Sequence, residues 1–96
     1  MDLTFHPKAA EDARLAARKY AEISEGLSQR FWEEIDRTIE GIGKFPERHH
    51  FDPSGFRRAN LLKFPYHILF EQDSDSIRVM VVRHNRRHPS FGTSRR

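Results

Sequence analysis

The sequence predicts an α+β fold in which a helical hairpin lies on one face of an antiparallel sheet, with elements in the order β-α-α-β-β-β. Three observations carry that prediction. Residues 8–43 contain two apolar stripes at helical spacing. Residues 56–82 change to the two-residue period of strands. The chain has 96 residues, which suits one domain with one main core.

The elements follow in order. Asp2–His6, DLTFH, alternates apolar and polar residues and stops at Pro7, as a short strand does before a helix. Pro7 fits the first helical turn, with His6 in the cap region. Residues 8–24 read as a helix whose stripe is Ala9, Ala13, Ala16, Tyr20 and Ile23, and the small alanines allow close approach of another element. Gly26 reads as the stop between helices. A second helix over 27–43 carries Leu27, Phe31, Ile35, Ile39 and Ile42 on one face, with Trp32 at the edge of that stripe. So tight a connection predicts antiparallel packing of the pair.

Residues 43–56 hold two Pro and an Asp-Pro step and read as a loop. Phe56–Lys63 forms a strand with imperfect alternation, and Pro65 ends it. Tyr66–Phe70 is a cleaner strand, DSDS at 73–76 a hairpin turn, and Ile77–Val82 the strongest strand of the chain. Beyond Arg83 the chain turns polar and reads as partly mobile, so the domain is assigned to 1–90 and a basic tail to 91–96. In this arrangement the helices cover one sheet face. The bare face, edged by Arg58, Arg83 and His84, is where function is expected.

Composition removes several classes of function. There is no cysteine, which excludes disulfides, thiolate zinc sites and a cysteine nucleophile. No apolar run reaches the roughly 18 residues of a membrane span, and the N-terminus has no apolar signal region. The compartment is read as the cytoplasm. His84 and His88 are four residues apart, but they follow a strand and precede Pro89, so no metal is assigned. No glycine-rich phosphate loop exists, and no cofactor is assigned.

The net charge is +3, but residues 1–43 carry net −3 and residues 44–96 net +6. Five arginines, Arg83, Arg86, Arg87, Arg95 and Arg96, fall in the last fourteen residues. Such a localised field favours a polyanion or an acidic protein partner, although a soluble face with a basic tail has the same composition.

A set of short motifs runs through the chain in order: Phe5–Ala9, Tyr20, Gly26–Ile39, Phe45–Arg48, Arg57–Arg58, Phe64–Phe70 and Val81–Pro89. The most specific part is Phe64-Pro65-Tyr66 followed by Arg83-His84-x-Arg86-Arg87. The pattern resembles the RelE/ParE superfamily of bacterial toxins from type II toxin–antitoxin modules. The ParE-like branch, often labelled plasmid stabilisation proteins, is favoured. The resemblance implies a toxin neutralised by a cognate antitoxin in a hetero-oligomer, with DNA gyrase inhibited by protein contact. The RelE-like alternative implies a ribosome-dependent mRNA endonuclease.

For cleavage, Arg58, Arg83 and Arg87 would balance charge on phosphate, and His84 would move protons. Against cleavage, the C-terminal stretch holds His88 and Phe91 but no Tyr beyond Tyr66, and Phe cannot donate a proton. The residues assigned to partner or target contact are Trp32, Arg58, Arg83, Arg86, Arg87 and Phe91. Of Arg57 and Arg58 only one can face the groove. Arg58 is chosen, because Ala59 and Leu61 then fall on the helix-covered face. Trp32 is either a partner anchor or a completion of the core.

Overall fold

The computed structural model describes residues 2–96. Its elements are β1 (Asp2–Phe5), α1 (Pro7–Ile23), α2 (Glu25–Lys44), a 3-10 turn at Pro46–Arg48, β2 (Arg57–Asn60), β3 (Tyr66–Gln72) and β4 (Ser76–His84). The predicted order holds. The sheet order is β1-β4-β3-β2.

The sheet is mixed rather than wholly antiparallel. β3 pairs antiparallel with both β2 and β4, but β1 pairs parallel with β4. The helical hairpin explains this, since a chain that leaves β1, goes out along α1 and returns along α2 can supply strands running either way. β1 reaches only as far as Phe5 opposite Val79. The remainder of β4 has no strand on that side among the described residues.

Ser24 is the whole connection between the helices. It is extended (φ −163°, ψ 148°), closes α1, and caps α2 through its Oγ, which accepts the Leu27 N–H at 3.1 Å. An N-capping Ser satisfies one of the orphan donors of a first turn. Gly26 therefore lies inside α2 and not at a break, and Ile23, expected in the core, is 74% exposed. At the other end of α1 the Nδ1 of His6 accepts the Lys8 N–H at 3.0 Å, so His6 is the cap.

The main core lies between the hairpin and one sheet face. Ala9, Ala13 and Ala16 bring α1 close to the sheet, and Phe31, Ile35 and Ile42 pack with Ala59, Ile68, Phe70, Ile77, Val79 and Val82. Tyr20, Phe31, Phe64 and Tyr66 form an aromatic cluster with ring centroids 5.0–6.2 Å apart. Within the Phe-Pro-Tyr motif, Phe64 is core, while half-buried Tyr66 packs against that core.

The second face is not bare. Leu69, Met80 and Val81 are buried there against Phe56 and Phe91. The 52–56 turn and the polar C-terminal segment supply that cover. Those residues form successive turns rather than a free tail. Arg95 makes two bonds to the Asp12 carboxylate, at 2.6 and 3.1 Å, and one to the Met80 carbonyl at 3.0 Å. His6 Nε2 lies 3.0 Å from the Arg96 carbonyl oxygen. Residues 91–96 are docked against the domain that was expected to end before them.

A β-bulge decides which side chains reach each face. Leu69 opposes Val81 and Phe70 opposes Val79, which leaves Met80 as an extra residue. Strict alternation would place Val81 and Arg83 on the helix side with Ile77 and Val79. The extra residue reverses this. Val82 joins the main core, Val81 the second cluster, and Arg83 and His84 exchange faces accordingly.

Candidate functional site

A groove of about 360 Å³ opens between α1, the end of β4 and the C-terminal segment. α1 supplies one wall through Asp12, Leu15, Ala16 and Lys19, which recur at helical spacing beside the buried alanine stripe. Tyr66 and the end of β4 form the floor, and Arg86, Arg87 and Phe91 the far wall. The groove runs beside the part of β4 that β1 leaves unpaired. Two backbone groups on that edge are satisfied by side chains: the Val82 N–H donates to Asp12 Oδ2 at 3.1 Å, and the Met80 carbonyl accepts from Arg95. An edge capped by charged side chains resists unwanted pairing.

His84 faces the groove. Its ring packs edge-on against Tyr66 at 5.0 Å, and its Nδ1 accepts the Arg86 N–H at 3.0 Å. The Arg87 guanidinium lies 4.1 Å from the centre of the Phe91 ring, a cation–π contact that holds both side chains in place. Asp12 is tied to Arg95, so Lys19, Arg86 and Arg87 set the local charge. Burial pushes the Tyr66 hydroxyl above its ordinary pKa, opposed by Arg87. It stays protonated at neutral pH, a neutral donor in a cationic hollow.

Arg83, expected at the surface, is 4% exposed. Its Nε donates to His67 Nε2 at 3.0 Å, its Nη1 to the Pro89 carbonyl at 2.6 Å and the Phe91 carbonyl at 3.4 Å, and its Nη2 to Asp52 Oδ1 at 3.4 Å. All three nitrogens of the fork are occupied within the chain. The bulge at Met80 places the side chain on the second face, and the C-terminal segment closes over it there. Burial pushes the Asp52 carboxyl up, but the donors of Ser54, with Arg83 and Arg58, outweigh that and hold it below its ordinary value. The anion opposite Arg83 is thus secured.

The other expected site residues are dispersed. Arg58 lies on the second face opposite Leu69, with its Nε bonded to Asn60 Oδ1 at 2.9 Å. Ala59 and Leu61 are buried under the helices, as the choice of Arg58 over Arg57 required. Trp32 is 37% exposed and lines a separate hollow with Ala21, Glu25, Ser28 and Gln29. The structure therefore brings together His84, Arg86, Arg87 and Phe91, keeps Arg83 beside them in the lining but with its guanidinium buried on internal partners, and leaves Arg58 and Trp32 apart.

Sequence reasoning missed Lys19 and Leu15, which the spacing 12-15-16-19 beside the alanine stripe could have marked. It also missed Asp12, Asp52 and His67, whose partners lie 16 to 83 residues away and leave no local signal. Among the described residues no group of three or more His, Cys, Asp or Glu is placed to hold a metal ion, and no helix is long and apolar enough to cross a membrane.

Over residues 3–89 the sequence matches the family described as the ParE toxin of the type II toxin-antitoxin system, parDE. The chain belongs to this family. A solved structure of the chromosomal ParDE TA system from P. aeruginosa has the same fold, with a TM-score of 0.76 and 19% identity over 88% of this chain and 95% of that one. No curated protein matches the sequence. This ParE family member accordingly has the helical hairpin on a four-stranded sheet that its motifs implied.

Proposed function

We propose that this chain is the toxin of a type II toxin–antitoxin pair, that its groove receives a cognate antitoxin in a hetero-oligomer, and that it inhibits DNA gyrase by protein contact. The observation that carries the reading is the groove itself. Lys19, His84, Arg86 and Arg87 surround a partly apolar floor beside the stretch of β4 that no other strand pairs, where Asp12 and Arg95 cap the Val82 and Met80 backbone groups. Acidic, partly apolar polypeptide fits such a surface, because charge steers the encounter while strand and side-chain contacts hold the complex. Trp32 and Arg58, on other faces, are proposed as further contact points for target or antitoxin. Neither lines the groove.

The geometry argues against RNA cleavage as the activity. The guanidinium most suited to a reacting phosphate is Arg83, and its donors are spent on His67, Asp52, Pro89 and Phe91. Stabilising a developing charge requires donors aimed at that charge. His84, Arg87 and Arg58 would remain for that chemistry, but Arg58 does not line the groove.

The test is induced expression without antitoxin in cells. The expected result is a DNA-damage response with messenger RNA ends intact. New codon-phased cuts by primer extension would overturn the gyrase reading and establish the nuclease. Neither effect, in a chain that still binds antitoxin in a separate binding assay, would mark an inactive relative. Arg86→Glu with Arg87→Glu should weaken antitoxin binding at least about tenfold, and unchanged binding would move the antitoxin seat off the groove.

A further inference from the structure

We propose that residues 85–96 form a strap latched over the second sheet face by neutral His67 acting through Arg83, and that protonation of this imidazole releases the strap. The hydrogen-bond directions carry the argument. His67 is 1% exposed, in the middle of the sheet. Arg83 Nε can only donate, so His67 Nε2 must accept. The ring proton therefore sits on Nδ1 and is donated to Asn85 Oδ1 at 2.8 Å. A second proton on Nε2 would set two donors, both cationic, face to face at 3.0 Å without solvent.

That pair is the centre of the strap's attachment. Asn85 begins the strap and takes the His67 proton, and its own N–H bonds the Pro65 carbonyl at 2.8 Å. Arg83 holds the Pro89 and Phe91 carbonyls. Gly92 then crosses the sheet so closely that a Cβ on it would lie 2.8 Å from Val81 Cγ2, in a backbone conformation with φ +77°. Displacing Arg83 loosens all of these together and uncovers Leu69, Met80 and Val81. It also moves Arg87 and Phe91, and so the groove's far wall.

The charged groups that face His67 are Arg83 from β4, Arg58 from β2 and Asp52 from the loop before β2. Burial lowers the pKa most. Arg58 and Arg83 lower it further, while Asn85 and Asp52 oppose them. Because the folded value lies below the ordinary 6.5, the unfolded or unlatched chain takes the proton more readily. The latch is at full strength above the ordinary value and is lost as the pH falls through the lowered one. Three other imidazoles touch the strap: His6 at Arg96, His84 at Arg86, and His88 within it at Ser90. The test must isolate His67 from them.

The strap can be followed by NMR on the free full chain, with no partner present, so the outcome is separate from the function proposed above. The signals are the nuclear Overhauser contact between the Gly92 α-protons and the Val81 methyls, and the protection of the Asn85 amide. Both should be present at neutral pH. Both should fade on acidification with the midpoint of the His67 ring titration, protection falling by up to about tenfold per pH unit between the ordinary imidazole value and that midpoint. The Ile68 and Val79 methyls of the main core should keep their shifts. In His67→Gln, whose side-chain oxygen can accept from Arg83 and cannot titrate, both signals should persist into acid. A strap that stays docked throughout the His67 titration would overturn the proposal, as would loosening at a different midpoint. Should His67→Gln lose the core shifts at neutral pH, the agreement or disagreement of the two wild-type midpoints decides alone.

Discussion

The two faces of the sheet are covered by different physical means. The helix-covered face is held by many interchangeable apolar contacts among Phe31, Ile35, Ile42, Ile68 and Val79. The second face is held by a few directional bonds that converge on Arg83, with a small apolar cluster beneath. Burial of apolar area is non-directional and tolerant of substitution. A buried charge is tolerated only while every partner is present. The first face should therefore degrade gradually under mutation and the second abruptly.

Arg83→Ala is the most severe test. It leaves Asp52 and His67 buried without their partner and should cost about 3–5 kcal/mol in urea unfolding. Arg83→Lys should recover little, since an ammonium cannot serve donors spread over a planar fork. Recovery by Lys would break the contrast between the faces. Gly92→Ala comes next, at about 1–3 kcal/mol, because the new Cβ meets Val81 in a left-handed backbone. Its loss should appear as an exposed strap and a weaker groove before the main core melts.

On the helix side, Ile35→Val removes one buried methyl group and should cost about 0.5–1.5 kcal/mol, with no local opening. A cost as large as that of Arg83→Ala would show that the two faces are equally brittle. Arg87→Ala should be the mildest, within about 0.5 kcal/mol in thermal or urea unfolding, although it removes a groove cation. Loss of antitoxin affinity without loss of stability would place Arg87 in recognition alone.

The helix face was legible because its signal is periodic. Ala9, Ala13, Ala16, Phe31, Ile35 and Ile42 repeat at the turn spacing of the helix that buries them. Ile23 broke the pattern because it is the last residue of α1, where Ser24 ends the helix and starts the turn into α2. The groove was legible in part. His84, Arg86, Arg87 and Phe91 were chosen from local sequence and lie together, but α1's share of the site was not foreseen. Arg83 reaches the second face through one extra residue at Met80 that shifts the side-chain phase of β4, and it is hidden there because the C-terminal segment closes over that face. Val81, Val82 and Met80 are all apolar, and nothing in such a run marks where alternation slips.

The order of elements, the apolar hairpin and the concentration of arginine near the C-terminus are properties of the chain itself, since helix period, strand period and charge act over neighbouring residues. The parallel pairing of β1, the docking of the last twelve residues and the division of the arginines into two anchors, Arg83 and Arg95, and two groove cations, Arg86 and Arg87, arose only on folding. Each depends on groups far apart in sequence, Asp12 with Arg95 or Asp52 with Arg83, and such pairings acquire meaning only once the backbone has set the distance between them.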